Sequence, residues 1–397
     1  KKYVKQDDGT KIKKPKTREI CYASHLDSHI YSYYAKKLSI SYEKKVEEFN
    51  INDNVLAFRK IKNEKENLTN IHFASIAFNK ICSFDNCSII AIDFSDFFGT
   101  LDHELLKKSI ENILEVNRLD TDYFNIYKSL VNYTYVNKDD LYKLFGIPKN
   151  NTKNFNRICS IKDFRTKVRN INNLINRNPK QKLHLNKGIP QGTPISALLS
   201  NIYMLDFDVK LKNFLDKTNS SYYRYCDDIL IITPEMNTEK IEKEIYDLID
   251  KFKLDINKDK TEYFRFMKKD GNFTLLKKDI KNNYNKGYLQ YLGFLFNGNN
   301  IYLRTGSITK YDHKMKKALF VASKTREKIN HKIRTKYNIP HDNRLYKKKL
   351  YRKFSSLGKL NFIKYAERSK IIMCSDSIKK QIKHLNNNLL KEIKNKS

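Results

Sequence analysis

Three aspartates sit where their chemistry could be used. Asp93 follows an apolar, β-branched run, and Ile89–Phe94 reads as a buried strand. Tyr222–Tyr225, Cys226-Asp227-Asp228 and Ile229–Thr233 read as strand, turn and strand, which puts Asp227 and Asp228 in a hairpin turn. Carboxylates brought within a few ångströms repel one another, and at least one pKa rises. A divalent cation relieves the repulsion. Hard oxygen ligands suit Mg²⁺, which takes its remaining ligands from water and substrate phosphates, with Mn²⁺ a substitute. Two such ions ~3.5–4 Å apart can activate a 3′-hydroxyl and steady a leaving pyrophosphate. An Asp-Asp pair alone is ordinary turn chemistry; placement beside Asp93 is what gives it meaning.

The elements that must position these acids follow from periodicity. His25–Leu38 places Leu26, Ile30 and Leu38 at helical spacing, and Leu105, Ile110 and Leu114 mark a helix after Thr100. Gly188-Ile189-Pro190-Gln191-Gly192 is a loop. Thr193 is the expected N-cap and Pro194 the first residue of a helix with Ile195, Leu198, Leu199, Ile202 and Leu205 on its core face. Glu239–Phe252 is a further helix; Thr261–Phe266 and Leu289–Phe296 are strands. Asn137–Lys182, rich in Asn and Lys, reads as an insertion. Strand, helix, helix, hairpin, helix, strand is the order of a split βαβ sheet with helices on one face. From Ile301 the pattern is helical, with no comparable strand signal.

Charge narrows the partner. The 397 residues carry a net +34, and Ile301–Ser397 holds 27 basic against 6 acidic residues, a net of +21. Such a field favours a polyanion. With 40% apolar and 12% aromatic residues the chain is no disordered basic tail. No apolar run approaches the ~18 residues of a membrane span. Six cysteines without a CxxC pair fit reduced thiols in a cytoplasmic protein. The chain begins at Lys1 with no Met, consistent with a start inside a longer product.

These segments together resemble the reverse transcriptases. Ala91-Ile92-Asp93-Phe94-Ser95-Asp96-Phe97-Phe98 is similar to the family's motif A. Gly188–Gly192 with Ile195-Ser196 and Asn201-Ile202-Tyr203 is similar to motif B, and Tyr225-Cys226-Asp227-Asp228 to motif C. Asn257-Lys258-Asp259-Lys260-Thr261 resembles motif D, and Tyr291-Leu292-Gly293-Phe294 the primer grip. Arg18 resembles the finger residue that contacts nucleotide phosphates. Five motifs in family order are far more specific than any one.

The resemblance implies an α+β right hand: fingers (1–88), a split-βαβ palm (89–136 and 188–299) interrupted by an insertion (137–187), and a basic helical thumb (300–397). It implies Asp93, Asp227 and Asp228 as metal ligands, with the Phe94 carbonyl lending an oxygen. Phe98 would exclude a ribose 2′-hydroxyl and Gln191 would line the nucleotide pocket. Arg18 would pair bidentately with the triphosphate. Lys16 is a second phosphate candidate that a solvated basic turn explains equally well. Lys260 would protonate the pyrophosphate, against its plain reading as a surface lysine. Tyr291, Leu292 and Gly293 would hold the primer. Cys226 would lie near the primer end and be sensitive to alkylation. Tyr346, Tyr351 and Tyr365 read either as stacking groups for unpaired bases or as core.

The Gly-Ile-Pro-Gln-Gly pattern looks most like the bacterial group II intron, retron and defence-associated ("unknown group") lineages, and most like the last, since the retron Val-Thr-Gly is not evident. The implied partners are a structured non-coding RNA template, an RNA/DNA duplex and dNTPs. No membrane is expected, and a homo-oligomer is compatible with the chain. A retron-type enzyme, an intron-derived one, an RNA-dependent RNA polymerase and a silent RNA-binding scaffold are the alternatives. Removing 301–397 is expected to flatten the salt dependence of RNA binding.

Overall fold

The computed structural model describes residues 2–5, 11–14, 19–64, 66–148, 157–171, 174–269, 272–340 and 344–396. Arg18 and Lys16 lie outside the described residues. The chain opens on a hairpin of strands β1 (Lys2–Lys5) and β2 (Lys11–Lys14), followed by helices α1 (His25–Glu48) and α2 (Asn70–Cys82). Strand β3 (Asn86–Asp93) leads into helices α3 (His103–Leu114), α4 (Thr121–Val131) and α5 (Ser196–Asp216). Next come the hairpin β4 (Ser221–Tyr225) and β5 (Asp228–Thr233), helix α6 (Thr238–Lys251) and strands β6 (Glu262–Lys269), β7 (Asn272–Lys278) and β8 (Tyr284–Lys286).

These strands form one sheet in the order β8-β7-β6-β3-β5-β4. Both β3 and β4 run antiparallel to β5 between them, so β3 and β4 are parallel and joined by the helical crossover. Likewise β5 and β6 flank β3 and are joined by α6. Two interlocked split βαβ units result, in the order the sequence predicts.

The sheet is covered on both faces, not one. Ile90, Ile92, Tyr222, Ile229 and Ile231 pack with residues of α1, α3, α5 and α6. Their alternates Cys87, Ile89, Tyr223, Leu230 and Ile232 pack on the other face with α2 and the C-terminal part of the chain. Successive side chains point to opposite faces, so an uninterrupted apolar run such as Ile89–Ile92 requires cover on both.

Three further departures have local causes. Helix α5 begins at Ser196, with Thr193 outside it; the Thr193 carbonyl accepts the Ser196 N–H at 3.3 Å and the two hydroxyls meet at 2.5 Å, so Thr193 closes a turn. Leu289–Phe296 is two strands, β9 (Leu289–Tyr291) and β10 (Phe294–Phe296), because Leu292 and Gly293 take φ of 45° and 96° and form a tight hairpin turn. A strand β11 (Ile301–Leu303) completes that three-stranded sheet in a region expected to be wholly helical. Helices α7 (Thr305–Tyr337), α8 (Lys348–Phe354), α9 (Phe362–Ile372) and α10 (Asp376–Lys396) follow. The 137–187 segment leaves and returns at one place, where Thr134-Tyr135 pairs with Asn176-Arg177.

Candidate active site

Register brings the acids together. Asp93 is the cross-strand partner of Asp228 where β3 meets β5, and the Phe94 N–H donates to the Asp227 carbonyl at 3.3 Å. Such non-hydrogen-bonded partners have Cα atoms about 4.5 Å apart, with side chains on one face. The turn holds Cys226 and Asp227 alone, and Asp228 is the first residue of β5. Like charges so placed destabilise unless a cation is near.

That cation is, in the protein alone, the Lys260 ammonium, which ion-pairs with the Asp93 carboxylate. Lys260 is a surface residue on a turn, as its plain reading has it, and from there its 42% exposed side chain reaches the 19% exposed Asp93. Asn257, to which sequence reasoning gave no role, supports the same residue twice. Its N–H donates to the Asp93 carbonyl at 2.8 Å, and its side-chain amide lies 3.4 Å from Asp93 Oδ2. Ser95 N–H donates to the Asp255 carbonyl at 2.7 Å, which places Phe94 at a position whose own carbonyl is outside this ladder.

The walls are built by the Gly188–Gly192 loop against the turn after Asp93. Ile189 N–H donates to the Phe98 carbonyl (2.9 Å) and Gly188 N–H to the Leu101 carbonyl (2.8 Å). Gly188 has φ +90°, and a Cβ there would stand 3.0 Å from the Gly99 carbonyl. The Gly188 carbonyl is held from the other side by buried His103 (Nε2, 2.9 Å) and buried Asn178 (Nδ2, 3.2 Å). Phe98 is half-buried, its ring edge-on to Phe97. The Gln191 carbonyl accepts the Cys21 N–H at 2.8 Å, so the stretch just after Arg18 lies on this loop. Gly192, at φ +112°, leaves no room for a side chain: a Cβ would meet Ile20 Cγ2 at 2.7 Å and the Cys21 carbonyl at 3.0 Å. Gly192→Ala is therefore expected to push residues 19–21 off the loop, destabilising the fold by about 1–3 kcal/mol. Thermal unfolding of the variant checks this.

Cys226 takes φ +61°, a conformation that costs a residue with a Cβ about 1 kcal/mol or more. Burial, and after it the Asp227 carboxylate, pushes its thiol up to about 12. A shielded, neutral thiol is a poor nucleophile, which goes against the expected alkylation sensitivity.

The Tyr291–Gly293 turn is tied to two distant helices. Asn70 of α2 donates to the Leu292 carbonyl and to the Tyr365 hydroxyl of α9, each at 3.0 Å. Tyr365 also stacks between Phe294 and Phe362, so it is core and not a free stacking platform. Tyr351 packs against the same core, and Tyr346 is 68% exposed. Tyr291 is buried, and its hydroxyl has no partner among the described residues. Burial raises its pKa, with Asp228 adding to the effect.

A divalent ion fits this donor set. Asp93 and Asp228 offer hard carboxylate oxygens on adjoining strands, and the ammonium on Asp93 shows the site already drawing positive charge. Among the described residues no three acid, His or Cys groups are pre-gathered into a cage.

Two interlocked βαβ units thus carry opposed acids at their strand ends, with a glycine loop beside them. The family is then specific: residues 12–296 match the reverse transcriptase (RNA-dependent DNA polymerase) family, and the chain belongs to it. A search of curated proteins finds no match. Among solved structures the chain is similar to apo telomerase from Candida tropicalis truncated from its C-terminal domain (15% identity, TM-score 0.40, 68% of this chain and 44% of that one). It is also similar to telomerase from Candida albicans in complex with a TWJ fragment of telomeric RNA (12% identity, TM-score 0.40, 92% and 54%). This chain thus spans about half the length of those structures. Among the described residues no helix is long and apolar enough to cross a membrane.

Proposed function

We propose that the protein copies an RNA template into DNA, adding dNTPs to a 3′-hydroxyl. The observation that carries this is the Asp93–Asp228 pairing with Asp227 in the adjoining turn. In this reading residues 1–88 are fingers, 89–136 and 188–299 the palm, 137–187 an insertion and 300–397 the thumb. Asp93, Asp227 and Asp228, with the Phe94 carbonyl, would hold two Mg²⁺ ions, or Mn²⁺ in their place. Bound there, the metal supplies Lewis acidity toward the hydroxyl and the phosphates. Asn257 and the β3–β5 ladder fix the direction of Asp93. Lys260, released from Asp93 once other positive charge is present, is placed to give a proton to pyrophosphate. Gln191 and Arg18 would face the nucleotide, as their match to the family's motifs implies. Tyr291, Leu292 and Gly293 would steady the primer.

Phe98 is the proposed selector of deoxyribose. Its backbone is pinned to Ile189, so the ring cannot retreat freely. Phe98→Ala is expected to raise the ribonucleotide kcat/KM relative to dNTP by about 10–10²-fold, the scale of an opened steric contact. Paired single-nucleotide assays check it, and an unchanged ratio would remove Phe98 from this role.

The motif B pattern supports a bacterial, defence-associated enzyme acting on a dedicated structured non-coding RNA. A retron-type or intron-derived enzyme is the runner-up. Sequencing the RNA that copurifies with the protein, and the DNA made from it, tests the template. Phage challenge of cells carrying the wild type or Asp227→Ala tests the role. If the purified protein incorporates nothing with either metal on any primed template, a silent RNA-binding scaffold is the better reading.

A further inference from the structure

Arg224 is the bulkiest of the wholly buried side chains, at 0% exposure. It stands in β4, two residues before Cys226. Its Nε and Nη2 donate to the two oxygens of equally buried Asp208 at 2.8 and 2.6 Å, and Nη1 donates to Asn201 Oδ1 at 3.1 Å. Both acceptors belong to α5. The Tyr222 hydroxyl closes on Asp208 as well. Asn201 in turn donates to the Ala57 carbonyl (2.9 Å), while the Arg224 backbone exchanges bonds with Asn54 (2.7 Å) and Leu56 (3.0 Å).

A buried ion pair by itself is weak evidence of anything beyond packing, because apolar residues of similar volume often serve as well. Here the guanidinium has one more bond. Nη1 reaches the Cys226 carbonyl at 3.3 Å. That residue holds the left-handed backbone of the turn, at φ +61°, and immediately precedes Asp227. A strained conformation persists only where its surroundings over-determine it. The rigid, planar fork of arginine can grip Asp208, Asn201 and Cys226 together; the single ammonium of lysine cannot.

We propose that Arg224 is a positioning residue. Anchored on Asp208 and Asn201, it holds the left-handed turn at Cys226, so aims the Asp227 carboxylate, and ties that aim to the 54–57 loop. The role rests on reading Asp227 as a metal-binding acid.

The test compares the full chain, Arg224→Lys, and Arg224→Lys combined with Cys226→Gly. Three quantities are read: Mn²⁺ affinity from the free-ion paramagnetic resonance signal, kcat for dNTP addition, and thermal midpoint. Glycine accepts positive φ without a Cβ penalty, so it should keep the turn when the grip is lost. Arg224→Lys is expected to lower kcat and Mn²⁺ affinity each by about tenfold, the scale of one charged hydrogen bond. Cys226→Gly should restore most of both without restoring the midpoint. If the glycine rescues neither, or both defects merely follow the midpoint, the role is packing and the proposal fails. Should Arg224→Lys not fold, Asn201→Leu, which keeps the Asp208 pair, takes its place with the same arms. A wild type that binds Mn²⁺ but adds no nucleotide would sink the polymerase reading and leave the Mn²⁺ arm to decide this one. A wild type that binds no Mn²⁺ overturns both.

Discussion

Asp227→Ala is expected to lower dNTP incorporation by at least about 10³-fold while RNA affinity changes by less than about twofold. Each tenfold in rate is 1.36 kcal/mol of barrier, and a lost metal ligand at charge-developing oxygens removes several kcal/mol. Asp93→Ala should do the same, because Asp93 and Asp228 are opposed across one ladder position. Binding should survive, since the acids occupy a few strand-end positions while the net +21 lies in residues 301–397. Single-turnover extension beside a filter-binding isotherm checks both halves. Retained synthesis in Asp227→Ala would exclude this carboxylate from the chemistry.

The second large effect concerns that charge. Helix α7 carries Lys314, Lys317, Lys324, Lys328 and Lys332, all exposed. At 3.6 residues per turn they fall within about 80° of one another over a length of about 27 Å. A straight basic stripe of this kind can follow a duplex backbone by its phosphates without reading bases. Changing Lys314, Lys317, Lys328 and Lys332 to Gln should reduce the slope of log K against log salt by about 3. It should weaken RNA binding about 10²-fold near physiological salt. Binding isotherms between low and high salt measure this, and an unaltered slope would move the nucleic acid to another face. Substitution is the proper test. Deleting residues 301–397 would strip Met315, Ile363, Ile378 and Leu385 from a core they share with Phe78, Phe266 and Phe296, so lost binding there could reflect an opened core.

Legibility divided along sequence distance. Asp93 was readable because Ile89–Ile92 is apolar on both faces and so must be a strand; a strand's end fixes where its last side chain stands. Gly188 and Gly192 were legible as a loop and by resemblance to a family motif; that both take positive φ with no room for a Cβ is seen only in the fold. Lys260 read first as a surface lysine on a turn, and it is one; that it reaches Asp93, 167 positions away, only the fold shows. Asn257 left no periodic signal. Leu289–Phe296 looked like one strand because a leucine at φ 45° is not written in a residue type that announces a turn.

By itself, then, the sequence displayed the order of the central strands and helices, the carboxylates that stand at strand ends, and the concentration of positive charge in the last quarter. Those depend on side-chain type and on short periods, which a linear chain displays. Tertiary structure alone decided which acid faces which, that the sheet is covered on both sides, and that Tyr365 is core. It also decided that Arg224 joins α5, the 54–57 loop and the Cys226 turn. Each of these is a contact between segments far apart in the chain, and it exists only once strand register and burial have been settled together.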